Sequence, residues 1–361
     1  MEEERVAASR QTGSDQVVAM ITSPLEQEYV DRIVAAHPDG FELIYRPDLL
    51  TPPRYVADHT GAPDWKRTPA QAEEWYALLR RANVLWDFAY GEKQSPLDLS
   101  PGLRWVQTTS AGVGQYVKRL GLQESEVIVT TASGVHSRPL SEFVFAALLF
   151  HNKKIAHLQA EQKAHRWARY CATELHGQTI AIVGPGRTGR ETARLAHAFG
   201  MTVWAMASDN SPARAAALGV DRLFESDGLR EMLRGADCVV LCCPHTPETE
   251  GLIGPEEIAA FKPGVVLVNI SRGVVIDEDA MIAALRADQI GLAALDVFRT
   301  EPLRVDSPLW DMPNVLVNPH SASTADTENS KITDIFIHNL GCFLAGDLKG
   351  MSPVLDKARL Y

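Results

Sequence analysis

From residue 17 onward, short apolar runs alternate with segments whose apolar positions recur every three or four residues. VVAMI, FELIY, NVLWDF, LRWVQTT and VIVTTA are predicted strands, and residues 26–36 and 69–82 between them are predicted helices. The alternation resumes at residue 179. TIAIV, MTVWAMA, DCVVLCC, GVVLVNI, GLAALDV and NVLVNPH are predicted strands there, separated by helices such as ETARLAHAFG and DEDAMIAALRAD. One long helix, 139–169, is predicted to connect the two series, and another, 326–344, to return after the last strand to the first series. Repeated strand and helix alternation implies parallel sheets covered on both faces. The fold class is therefore read as α/β, with two flavodoxin- or Rossmann-like domains and a cleft between them. One domain takes residues 17–134 with 321–361, the other 135–320. A proline- and glycine-rich stretch around 49–63 is a predicted loop, and the polar residues 1–16 are an expected disordered leader.

Composition narrows the class. A chain of 361 residues exceeds one typical core, in keeping with two domains. A net charge of −11 opposes an electrostatic grip on nucleic acid or an anionic membrane, so neither is an expected partner. The apolar run FVFAALLF, 143–150, is far shorter than a bilayer requires, and the residues after Met1 lack the order of a signal peptide. A cytoplasmic location is expected. The five cysteines, with Cys242 and Cys243 adjacent on a predicted strand, read as reduced core thiols, and no spacing suits a metal site.

The most informative segment is TIAIVGPGRTGRET, where an apolar run stops at Gly184 and is followed by Gly186 and Gly189. Strand, GxGxxG and amphipathic helix in that order form a dinucleotide fingerprint. Gly184 permits the tight turn, Gly186 lets backbone approach a pyrophosphate, and Gly189 allows close packing of helix on strand. Arg187 and Thr188 lie at the start of that helix.

Further polar residues follow predicted strand ends, where an open α/β sheet places its ligands. Arg272 follows GVVLVNI, Asp296 and Glu301 follow GLAALDV, His320 follows NVLVNPH, and Ser110, Ala111, Gly112 and Val113 follow a strand of the first domain. With the stretches GVHSRPLSEF, WARYCATELHG and PHTPETEGLIG, these motifs resemble the D-isomer-specific 2-hydroxyacid dehydrogenase family, from about residue 84 to about residue 324. Its glyoxylate/hydroxypyruvate reductase-like members are the nearest in kind.

The resemblance implies roles. His320 is the implied general acid toward a 2-oxo acid carbonyl, work suited to imidazole. Glu301 pairs with His320, and Arg272 clamps the substrate carboxylate and carbonyl with its planar fork. Backbone N–H groups of Ala111 to Val113, beside Ser110, bind the same carboxylate. Asp296 holds the nicotinamide carboxamide, and Cys243, Pro244, Thr249 and Ile270 line the cofactor. His136 and Glu142 are read as structural and His245 as a loop residue.

Relatives that prefer NAD end the second Rossmann strand on an acidic residue, and the matching position here is Ala207. With no carboxylate there, Ser208 or Arg214 is available to a ribose phosphate, and the cofactor reading leans to NADP(H). Asp209, about 20 residues past the third glycine, keeps NAD open. The implied function is NAD(P)H-dependent reduction of a 2-oxo acid to a D-2-hydroxy acid by a homodimer, with the apolar 143–150 helix at its interface. Two alternatives stand beside it. One is a nucleotide-sensing protein on this scaffold, like the C-terminal-binding corepressors. The other is a phosphoglycerate dehydrogenase-type enzyme, which the short stretch after His320 disfavours because it holds no regulatory domain. A formate dehydrogenase carries glutamine in place of Glu301.

Overall fold

The computed structural model describes residues 16–360 apart from 90, 91, 93 and 208–210. The predicted leader up to residue 15, and the cofactor roles given to Ser208 and Asp209, lie outside the described residues. Residues up to Ala132, with those from Asp326 on, form one compact unit, and Ser133–Ala325 the other. The crossings fall after Ala132 and Ala325, a few residues from the expected 134 and 320.

The first unit holds β1 (Val17–Ile21), β2 (Phe41–Ile44), β3 (Val84–Trp86), β4 (Trp105–Gln107) and β5 (Ile128–Thr130), with α1 (Gln27–Ala36), α2 (Pro69–Leu79), α3 (Pro96–Leu99) and α4 (Gly114–Arg119) between them. The sheet order is β2-β1-β3-β4-β5, all neighbours parallel. That is the flavodoxin-like order. Val18, Met20, Leu85, Val106 and Val129 enter one core with Leu79 and Val117. The other face carries Trp86 and Trp105, which meet Phe336 at 5.3 and 5.1 Å between ring centroids. Phe336 lies on the last helix, which therefore covers this sheet.

The second unit begins with α5 (Ser137–Asn152) and α6 (Ile155–Lys163). Its strands are β6 (Thr179–Val183), β7 (Thr202–Met206), β8 (Arg222–Phe224), β9 (Cys238–Leu241), β10 (Val265–Asn269), β11 (Ile290–Leu295) and β12 (Val315–Val317). Its other helices are α7 (Arg187–Ala198), α8 (Pro212–Leu218), α9 (Leu229–Gly235), α10 (Pro255–Ala259) and α11 (Glu278–Arg286), and α12 (Glu328–Leu344) belongs to the first unit. The order β12-β11-β10-β9-β6-β7-β8 is parallel throughout, the Rossmann order extended by a seventh strand. Successive residues of one strand enter different cores: Ala181 and Val183 one, Ile180 and Ile182 the other. Burial of both faces is why these strands read as unbroken apolar runs.

The single helix predicted over 139–169 is instead two. α5 buries Val144, Phe145, Ala147 and Leu148 and ends at the buried Asn152, whose amide donates to Leu148 O and accepts from Gln178 Nε2 at 2.8 Å. Lys154 then turns left-handed at φ 53°, and α6 buries no residue. At the break the Asn152 carbonyl accepts from Thr173 N at 3.0 Å, a tertiary bond that helical periodicity along the chain does not reveal. The apolar run 143–150, expected at a dimer interface, packs chiefly into its own unit's core. Among the described residues no helix is long and apolar enough to cross a membrane.

Candidate active site

Register brings three strand ends of the second unit into line. Asn269 of β10 pairs with Leu295 of β11, which pairs with Val317 of β12. Arg272, Asp296 and His320 therefore leave the sheet along one edge, at its C-terminal side, and Glu301 follows in the loop after β11.

Each is held by its surroundings. Buried Asn269 accepts from Ser271 N at 3.1 Å and from Ser271 Oγ at 2.8 Å, locking the turn out of β10, and Arg272 Nη1 donates to Ser271 O at 2.7 Å. A Cβ on Gly273 would lie 1.9 Å from the Phe298 carbonyl carbon, so the β10 and β11 turns touch through backbone there. Burial pulls the Arg272 guanidinium below its ordinary pKa, against the opposing charges of Glu301 and Asp296. It remains a cation.

Asp296 ties down the loop that carries His320. Its Oδ1 accepts from Asn318 Nδ2 at 2.7 Å and from Ala322 N at 2.9 Å. Burial raises its carboxyl above the usual aspartate range, although these bonds and the His320 side chain favour the charge. Between the two anchor points His320 takes a left-handed φ of 53°. That conformation costs a β-carbon-bearing residue about 1–2 kcal/mol and persists only where neighbours impose it. His320 Nδ1 lies 2.8 Å from Glu301 Oε2, and Glu301 Oε1 accepts from Phe298 N at 3.0 Å. Burial alone would raise Glu301. The bonds from His320 and Phe298 and the charge of Arg272 hold it below its ordinary value instead.

The three fingerprint glycines differ in what requires them. Gly184 has φ +99°, and a Cβ there would lie 2.6 Å from Cys243 Cα; one on Gly189 would lie 2.6 Å from Gly184 O. The chain's own packing demands both. A Cβ on Gly186 meets nothing within 4 Å. Gly186 is the N-cap of α7 and makes no side-chain cap, so the first-turn amides, at Arg187, Thr188 and Gly189, are uncapped. These residues fit a dinucleotide pyrophosphate, which needs open space before an uncapped helix N-terminus.

Other predicted residues have plain placements. Arg187 Nη1 donates to Ser133 O at 3.2 Å. Ala207 follows β7, its N–H donating to Phe224 O at 2.9 Å, and Arg214 is exposed on α8. Thr249 Oγ1 donates to Pro244 O at 2.7 Å and accepts from Thr246 N at 2.8 Å, so it shapes the loop after β9. Cys242 Sγ donates to Gly184 O at 3.0 Å, burial pushes the Cys243 thiol up to about 11, and all five cysteines are free. Ile270 is buried. In the first unit, Ser110 and Gly112 are exposed before α4, Ala111 is half-buried and Val113 joins the core. Sequence reasoning passed over Asn269, Gly273 and, in the first unit, Asp87. Asp87 has φ 68°, is fully buried and accepts from Thr109 Oγ1 at 2.7 Å, fixing the strand ends beside Ser110. The left-handed aspartate leaves no trace in the sequence pattern.

Residues 145–322 match the D-isomer specific 2-hydroxyacid dehydrogenase, NAD binding domain. The chain is 34% identical over 260 residues to glyoxylate/hydroxypyruvate reductase B of Pectobacterium carotovorum subsp. carotovorum (strain PC1), covering 70% of this chain and 79% of that protein. It is 36% identical over 277 residues to D-3-phosphoglycerate dehydrogenase of Mycobacterium leprae (strain TN), covering 76% of this chain and spanning half that relative's length. Among solved structures, a D-isomer specific 2-hydroxyacid dehydrogenase from Xanthobacter autotrophicus Py2, in complex with NADPH and MES, superposes with TM-score 0.73 at 27% identity over 96% of this chain and all of that one. A family protein from Aeromonas salmonicida subsp. salmonicida A449 gives TM-score 0.77, also at 27% identity, over 95% of this chain and all of that one. Fold and relatives agree: the chain belongs to the D-isomer specific 2-hydroxyacid dehydrogenase family.

Proposed function

We propose that this protein reduces a small 2-oxo acid to a D-2-hydroxy acid, reversibly, with NAD(P)H. The observation that carries the reading is the alignment of Arg272, Asp296 and His320 on one sheet edge, with Glu301 bonded to His320 Nδ1 at 2.8 Å. With Nδ1 so held, Nε2 is the ring nitrogen left to give a proton to the substrate carbonyl oxygen. Arg272 holds the carboxylate and draws electron density toward that oxygen. A bound nicotinamide dinucleotide supplies the hydride. Its pyrophosphate is assigned to Gly186, Arg187 and Thr188, and its carboxamide to Asp296, whose Oδ1 is already engaged with the His320 loop.

The test is a panel of glyoxylate, hydroxypyruvate and pyruvate with NADPH and NADH. His320→Asn is expected to lower kcat on the best substrate about 100- to 10,000-fold, with a smaller effect on KM. A variant with near-wild-type kcat removes the assignment. The 36% identity to a D-3-phosphoglycerate dehydrogenase favours a second reading, oxidation of a phosphorylated 2-hydroxy acid. Turnover of 3-phosphoglycerate above that of the 2-oxo acids would select it.

For cofactor choice we favour NADP(H), on Ala207 at the end of β7. For assembly we propose a homodimer formed through the segment after α5, where Leu158 and Tyr170 are exposed and Trp167 is fully so. An indole in water is an unused anchor of the kind interfaces bury. Sedimentation should give a dimer at micromolar concentration, and Trp167→Ala should shift it toward monomer; a monomeric wild type would remove the claim.

A further inference from the structure

The stretch between β2 and α2 is far longer than most connections in α/β units, and connections of that length usually have a function. It is built around Asp58, whose side chain is almost wholly buried. The Asp58 carboxylate accepts from Arg54 N at 2.9 Å, Arg54 Nε at 2.7 Å, Arg54 Nη2 at 3.1 Å, Thr60 N at 3.2 Å and Gly61 N at 2.9 Å. A second tie runs from His59 Nε2 to Glu328 Oε1 at 3.2 Å. The loop is thus a rigid wall, and it closes one side of a pocket of about 360 Å³.

That pocket is lined by apolar side chains and by the carboxylate of Glu26. Pro52, Pro53, Tyr55 and Leu50 line it. So does Arg54, but its guanidinium is engaged by two bonds to Asp58. Glu26 lies among the lining residues and makes no ion pair among the described residues. It is the N-cap of α1, yet its side chain does not cap that helix; its Oε2 accepts from Asn329 Nδ2 at 2.8 Å instead. Asn329, 2% exposed, also lines the pocket, and its buried Oδ1 has no donor. Flipping the amide would set that oxygen against the carboxylate, so the orientation is fixed by charge.

We propose that this pocket binds the alkylammonium or alkylguanidinium group of a free amine, its charge on Glu26 and its aliphatic stem between the prolines and Tyr55. A cation answers a carboxylate that has no ion pair among the described residues, and the apolar walls take the stem.

Calorimetry on the full chain tests the pocket with n-butylammonium against n-butanol, of the same shape. The ammonium should bind at least about tenfold more tightly, and Glu26→Gln should remove that margin. Glu26→Lys should instead take up butanoate. Thermal unfolding establishes that both variants are folded. Equal binding of the two probes by the wild type, or an unchanged margin in Glu26→Gln, overturns the proposal.

Discussion

Glycines of the candidate site answer to different demands, and this is open to test one residue at a time. Gly273 stands where a β-carbon would overlap the Phe298 carbonyl, so Gly273→Ala must push two turns apart. Its expected cost is about 1–3 kcal/mol by urea unfolding, the usual range for overpacking. Gly186 has ordinary backbone angles and open space in front of it. Gly186→Ala should therefore leave stability within about 0.5 kcal/mol of wild type, as surface changes do. The same methyl should weaken dinucleotide binding by about tenfold or more, because it occupies space the pyrophosphate needs. A destabilised Gly186→Ala of undiminished cofactor affinity would reverse the assignment.

At the scale of elements, the loop before α2 is the most testable piece because one carboxylate organises it. The bonds from Arg54 and the Gly61 N–H offset burial and hold Asp58 far below the ordinary aspartate pKa. A depressed folded value contributes stability that is fully present above the unfolded pKa, about 3.9, and is lost as pH falls toward the folded value. Asp58→Asn should accordingly cost about 2–3 kcal/mol at pH 7. The gap should narrow progressively below about pH 4, where wild type loses the contribution and the variant has none to lose. Urea unfolding at pH 7, 5, 4 and 3 checks the sign; a gap that widens on acidification would show that Asp58 does not act as an anion. α5 teaches a related point. At its end Asn152 is bonded by Thr173 and Gln178, both from further along the chain.

For the whole molecule, strand order decides where chemistry can occur. The strand order of the second sheet reverses at β6, with β9 on one side and β7 on the other, so the fingerprint turn opens at the switch point. A ligand bound only by the folded state stabilises it by about 2.7 kcal/mol at one hundred times its Kd. At equal concentrations NADPH should therefore raise the melting temperature of the wild type more than NADH does. Ala207→Asp should invert that order, since a carboxylate there accepts from a ribose hydroxyl and repels a phosphate. A wild type stabilised more by NADH would move the cofactor choice onto residues beyond β7.

Periodicity alone determined that this chain is α/β with parallel sheets, because strands buried on both faces cannot hide their apolar runs. Residue order alone determined the fingerprint at Gly184 and the polar residues at strand ends, since each motif is local and its type follows from its chemistry. The three-residue β8 and the helices α8 and α9 escaped notice, being too short for a period to establish itself. Only the tertiary structure decided that Arg272, Asp296 and His320 share one edge, because that depends on inter-strand register. Only it separated Gly186 from its two neighbours, since a close approach between Gly184 and Cys243 is invisible along the chain. The anchoring roles of Asn269 and Asp87, and the pairing of Glu26 with Asn329, have the same origin. Each rests on which group lies opposite across space, and a polar residue carries no mark of its partner until the backbone has brought the two together.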